Sequence, residues 1–215
     1  MVLPQNYEIN PFSLTKEQIT YLCNLLNTKK PKNILEYWCW VSSNIFNDYI
    51  NENRDSTYTW IEHDKNYKTN EDIQILNLIE HPHINTNFYN WLEEYISKIN
   101  KKFDFVLIDG PFGYDKKYDY TRLQMIDPIL YDKLDEQWIF LIHDSQRKST
   151  QKSIEILKIL FYIKWYNIST DYNNHKKDKE LTTFEFDKSW TILHNNTNIQ
   201  KKRKKRNIKN LFQLK

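Results

Sequence analysis

The segment that most restricts the fold is Phe103-Asp104-Phe105-Val106-Leu107-Ile108, followed at once by Asp109-Gly110-Pro111. An apolar run of that length suits a strand buried on both faces, and such strands belong to parallel sheets covered by helices on either side. The pattern recurs. Asn33–Tyr37, Thr57–Glu62 and Ile139–Ile142 read as strands, and another is expected within Ile73–Ile79. Helical spacing fills the intervals: Ser13–Lys29, with Ser13 or Thr15 as cap and Pro31 as stop, then segments near Ser43–Ile50, Asn87–Ile99, Thr121–Leu134 and Thr150–Phe161. Less regular strands follow near Tyr166–Thr170, Thr182–Phe186 and Thr191–His194. Strands alternating with helices predict an α/β fold with a doubly wound, mainly parallel sheet.

In such sheets ligands sit beyond the carboxyl ends of the strands. The residues that follow or end the strands here are Glu36, Glu62, Asp109 and His143-Asp144, so each strand delivers an acid to that edge. The charge balance needs splitting before it is used. Lys201–Lys215 holds eight Lys or Arg and no acid, which leaves the first 200 residues with 23 bases against 28 acids. The body is therefore mildly acidic, and any nucleic-acid contact is expected only through the tail. The expected organisation is one domain over 1–195 and a basic extension over 196–215. No apolar run approaches the roughly 18 residues of a spanning helix, and Met1–Asn10 is too polar to read as a signal peptide. Cytoplasm is the default expectation. Cys23 and Cys39 make neither a disulfide framework nor a zinc cluster.

Ile34-Leu35-Glu36-Tyr37-Trp38-Cys39-Trp40-Val41-Ser42-Ser43 resembles the first motif of class I S-adenosylmethionine (SAM) dependent methyltransferases, and Trp60-Ile61-Glu62-His63-Asp64 the second. Phe103–Tyr114, then Arg122, then Phe140–Arg147 is similar to polysaccharide methyltransferases of the glucuronoxylan 4-O-methyltransferase type. The resemblance covers about residues 33–160 and implies a Rossmann-like SAM-methyltransferase fold. It implies SAM as cofactor, held by Glu36, Tyr37, Trp38, Cys39, Trp40, Ser42, Ser43, Glu62 and Asp109. It further implies O-methylation of a small-molecule or glycan acceptor with a polar hydroxyl.

The residue chemistry suits these roles. A carboxylate such as Glu62 accepts hydrogen bonds from both hydroxyls of a ribose. Methyl transfer mostly requires alignment, but an alcohol gains from proton removal as the bond forms. His143 is the natural base, because imidazole titrates near neutrality, with Asp144 or Asp109 to orient it. Alternatively Asp109 and Asp144 ligate a divalent metal ion that acidifies the hydroxyl. Arg122 and Arg147 suit an acidic sugar carboxylate, or an ion pair within the protein. No Asn-Pro-Pro-Tyr-like run, Walker loop or CxxC pair is present. His81-Pro82-His83 reads as polar loop.

One departure is sharp. The family places glycine at Trp38 and Trp40, where backbone approaches the cofactor. Trp138 and the turn-like Trp190 also stand where glycine is at home. The chain has 2 glycines and 7 tryptophans, whereas glycine usually supplies about 7% of a protein. Three accounts fit this. The site is degenerate, leaving a binding module for glycans; or the indoles line a cleft that stacks on sugar rings; or UGA codons, which some bacterial codes read as glycine, stand here as tryptophan. An RNA methyltransferase guided by the tail is a separate alternative.

Overall fold

The structure, a computed structural model, describes residues 1, 2, 7, 14–38, 40–67, 73–80, 86–110, 122, 124, 132–145, 147–163, 169–173 and 181–187. Cys39, the His81–His83 segment, most of the helix expected over Thr121–Leu134, the strand expected at Thr191–His194, Trp190 and the basic tail lie outside these residues.

The chain runs α1 (Lys16–Lys29), β1 (Asn33–Tyr37), α2 (Val41–Glu52), β2 (Thr57–Glu62), a 3-10 turn (Lys65–Tyr67), β3 (Gln74–Ile75), β4 (Leu78–Glu80) and β5 (Asn87–Tyr89). It continues through α3 (Leu92–Lys98), β6 (Phe103–Ile108), β7 (Leu134–His143), α4 (Lys148–Ile163), β8 (Ser169–Asn173) and β9 (Leu181–Asp187). Seven strands form one sheet in the order β3-β2-β1-β6-β7-β9-β8. The first five are parallel; β9 runs antiparallel to β7, and β8 antiparallel to β9. This is the mainly parallel α/β architecture that the alternating pattern predicts.

Side chains of a strand alternate between faces, so each central strand feeds two cores. Ile34, Phe105, Leu107, Ile139 and Leu141 pack with Ile19, Leu22 and Leu26 of α1 and Ile45 and Phe46 of α2. Leu35, Tyr37, Val106, Ile108, Phe140 and Ile142 pack with Leu92 and Ile96 of α3 and Ile154 and Leu157 of α4. Burying each such side chain contributes about 1.5–3 kcal/mol, which is why β6 is apolar on both sides. Its one acid, Asp104, accepts from the Lys32 amide at 2.7 Å and the Asn33 amide at 2.9 Å, which ties the starts of β6 and β1 together.

Of the two caps expected for α1, Thr15 takes the position, and the helix starts at Lys16. The Thr15 hydroxyl accepts from the Gln18 amide at 3.2 Å, and the Gln18 side chain accepts from the Thr15 amide at 2.9 Å. Three other expectations are corrected. The strand expected within Ile73–Ile79 is two: β3 joins the main sheet, while β4 pairs with β5 in a separate ladder, Leu78 opposite Tyr89. Asn87–Tyr89 is therefore strand, not helix; the Gln124 side chain bonds both its Tyr89 amide (2.6 Å) and carbonyl (2.7 Å) as a strand partner would. The helix starts only at Leu92, after Trp91 in the left-handed region (φ 61°). Leu134 is the first residue of β7, which starts five residues before Ile139 through the exposed polar stretch Asp135–Gln137. Trp138 is buried in the core beside Phe140. No helix among the described residues is long and apolar enough to cross a membrane.

Candidate functional site

The carboxyl ends of β1, β2, β6 and β7 lie side by side and carry Trp38, Glu62-His63, Asp109-Gly110 and His143-Asp144. Hydrogen bonding fixes this edge: the Trp38 amide donates to the Ile61 carbonyl at 2.9 Å, and the Asp109 and Gly110 amides both donate to the Tyr37 carbonyl at 3.1 Å.

On the β6–β7 side, Asp109, Arg122, His143 and Asp144 are all buried. His143 Nδ1 lies 2.5 Å from Asp109 Oδ1. A carboxylate there fixes the tautomer with the proton on Nδ1 and leaves the Nε2 lone pair available. Nε2 is itself buried and has no hydrogen-bond partner among the described residues. Arg122 is spent on the protein: its Nη2 donates to the Asp109 carbonyl at 2.5 Å, its Nη1 to the His143 carbonyl, and Nη2 lies 3.5 Å from Asp144 Oδ2. The guanidinium thus staples the ends of two adjacent parallel strands. Burial pulls its pKa below the usual value and Arg147 adds to that, while Asp144 and Asp109 oppose it. Arg147 Nη2 binds Asp144 Oδ2 at 2.6 Å. Asp144 itself sits at φ 55°, a conformation that Asp tolerates better than most residues.

The loop side is built differently. Glu36 is wholly buried, with Oε2 accepting from the Ser43 hydroxyl at 2.7 Å and from the Tyr58 hydroxyl. Burial pushes its carboxyl well above the ordinary value; the Ser42 and Ser43 hydroxyls pull it back, and Asp109 and Glu62 push it further up. Ser43 also accepts from the Trp40 amide at 3.1 Å, at the start of α2. Glu62 folds onto its own turn, Oε1 accepting from the amides of His63 (2.6 Å) and Asp64 (3.0 Å), with His63 Nδ1 2.9 Å away. The Trp40 and Tyr67 rings lie against each other with centroids 4.8 Å apart and planes tilted by 53°.

Trp38 occupies the middle of the edge. It has φ 77°. A Cβ on Gly110 would lie 2.3 Å from Trp38 Cβ and 2.7 Å from its Cγ, and the indole centroid is 6.4 Å from the His63 ring. The side chain therefore lies between the end of β6 and the turn after β2, across the crevice.

The structure thus draws the expected residues into two groups, Asp109, Arg122, His143, Asp144 and Arg147 on one side and Glu36, Trp38, Ser43 and Glu62 on the other. Tyr37 turns its ring away to pack on Tyr89 in the core. Sequence reasoning missed Tyr58 and His63. Strand periodicity was the available signal for Tyr58, which lies opposite Ile34, two residues before the partner of Glu36 in β2.

No protein-family profile and no curated protein matches the sequence. Solved structures do match. An O-methyltransferase from Bacillus cereus in complex with SAH superposes with a TM-score of 0.57 at 10% identity, over 82% of this chain and 83% of that one. The O-methyltransferase TomG from Streptomyces achromogenes, in complex with SAM, gives 0.59 at 8% identity over 85% and 92%. A precorrin-6y C5,15-methyltransferase from Geobacter metallireducens gives 0.51 at 11% over 86% and 96%. Identities this low establish the fold, which is the Rossmann-like fold of class I methyltransferases.

Proposed function

We propose that the chain is a SAM-dependent O-methyltransferase whose acceptor is a saccharide or similar polar hydroxyl compound. The observation that carries the reading is the buried Asp109–His143 pair, at the ends of two adjacent parallel strands of this fold, with His143 Nε2 unengaged among the described residues. The likeness to methyltransferases determined with SAM or SAH supports the choice of cofactor. SAM supplies an activated methyl group on a sulfonium. The protein's part is to hold the acceptor hydroxyl against Nε2, take its proton as oxygen–carbon bonding begins, and stabilise the resulting imidazolium with Asp109.

The donors fit SAM in part. Glu62 is an acid at the end of β2, where ribose hydroxyls would be held, but the Trp38 indole lies across the path between it and Gly110. A divalent metal fits less well. Asp109, His143 and Asp144 bring ligand atoms within 4.8 Å of one another. Yet Asp144 is bound by Arg147 and faces Arg122, and Asp109 by His143. Arg122 and Arg147 already balance the charge of the two carboxylates, and a cation would have to displace Arg147 from Asp144 and His143 from Asp109. The roles left to Arg122 and Arg147 are to position this pair; an acidic sugar would have to compete with Asp144 for Arg147.

A second reading, a glycan-binding module without catalysis, is favoured by the same indole. The two separate by transfer of labelled methyl from SAM to a panel of oligosaccharides, simple phenols and RNA, using a Trp38→Gly chain. Incorporation into a saccharide is expected, with His143→Ala lowering it about 10²-fold or more. Undiminished transfer in His143→Ala refutes the base assignment. Labelling of RNA alone would favour the tail-guided alternative.

A further inference from the structure

Four described residues other than glycine have positive φ: Lys30, Trp38, Trp91 and Asp144. Lys30 ends α1 as its C-cap, and aspartate tolerates this region. The two tryptophans have no such excuse. A bulky residue in left-handed backbone costs free energy that glycine does not, and here the strain falls on the residue type that is in excess while glycine is scarce. Trp91 (φ 61°, ψ 18°) is the N-cap of α3, two residues after β5, and is 67% exposed, so core packing does not hold it there. Trp38 (φ 77°) lies in the same left-handed region, directly after the last residue of β1.

We infer that positions 38 and 91 are glycine in the protein the source cell makes, the corresponding codons being read there as glycine. The inference rests on backbone geometry at two positions far apart in the chain and not on the methyltransferase reading. Position 91 is remote in the chain from every residue assigned to the site, so the cofactor loop alone does not account for the pattern. Trp60 and Trp138, by contrast, sit buried in strands at ordinary φ, and their backbone makes no comparable demand. At position 38 the substitution has a functional consequence. Removing the indole takes away the side chain that lies against Gly110 and beside the His63 ring.

The test is peptide mass spectrometry on the protein isolated from its source cell. Tryptic cleavage after Lys32 and Arg54 gives a peptide that carries positions 38 and 40, which fragment-ion sequencing reads separately, and cleavage after Lys68 and Lys98 gives one with position 91 alone among the tryptophans. Each peptide is expected to carry glycine, lighter by an indolylmethyl group replaced by hydrogen; tryptophan at either position overturns the inference. A recombinant arm reads the backbone directly. Trp91→Gly should melt about 2–4 °C above Trp91→Ala, reversing the order found inside helices. Equal melting, or Ala above Gly, overturns the argument at that position. A glycine-bearing chain that ignores SAM would remove the methyltransferase reading and leave this inference standing. Tryptophan peptides from a chain that binds SAM would do the reverse.

Discussion

Replacing Asp144 by asparagine separates the two chemistries that its position allows, because they predict opposite signs. Asp144 Oδ2 lies 2.6 Å from Arg147 Nη2 and 3.5 Å from Arg122 Nη2, and the carboxylate is buried. At an effective dielectric constant near 20, the shorter contact alone is worth about 6 kcal/mol of Coulomb attraction before desolvation is counted. Removing one partner of a buried ion pair costs a net ~3–5 kcal/mol when the other charge stays buried without compensation, as Arg122 does here, while the partly exposed Arg147 contributes less. In a chain of this size that is a fall of roughly 6–20 °C in melting temperature. Asparagine keeps the size and tolerates φ 55° as aspartate does, so the change reports charge and little else. Were Asp109, His143 and Asp144 a metal site, removing one of two crowded carboxylates would relieve repulsion and raise the melting temperature of the metal-free protein. Circular dichroism melts in chelator-treated buffer decide. An unchanged or higher melting temperature for Asp144→Asn would refute the ion-pair account and return the cluster to the metal reading.

Two further predictions concern the scaffold around the site. Burial holds the folded pKa of Glu36 well above the ordinary glutamate value, so the unfolded chain ionises first. Its contribution to stability is whole below about pH 4.5 and is lost as pH rises toward the folded pKa. Glu36→Gln should remove that slope and gain on the parent between pH 4 and pH 8 in urea midpoints; parallel pH profiles would contradict it. Asp104→Ala removes the two bonds to the Lys32 and Asn33 amides and should cost about 2–4 kcal/mol in chemical denaturation; a loss under ~1 kcal/mol would mean that the β1–β6 tie is not stabilising.

Much of the fold is legible because its central strands are self-declaring. β1, β2 and β6 begin and end where the sequence pattern places them, and an acid stands at the last residue of each or directly beside it. What escaped has local causes. Asp135-Glu136-Gln137 hides the first half of β7, since strand pairing needs only backbone there and the side chains are solvated. Asn87–Tyr89 carries a helix-like pattern that pairing with Leu78–Glu80 and the Gln124 amide overrides. At the site, the strand-end acids were visible in the sequence, but their partners were not. That Asp109 takes His143 while Asp144 takes Arg147 depends on how β6 and β7 abut, and Arg122 reaches both strand ends from a separate segment of the chain. The tryptophans at 38 and 40 stood out by motif. Trp91 became conspicuous only through its φ.

A SAM site at this edge, closed by the side chain at position 38 as proposed, opens when that side chain is removed. Isothermal titration of SAM into the chain as written and into its Trp38→Gly/Trp40→Gly form tests it most directly. Saturable binding to the glycine form, at least tenfold tighter than to the tryptophan form, is the predicted result. A glycine form that binds no SAM would contradict it.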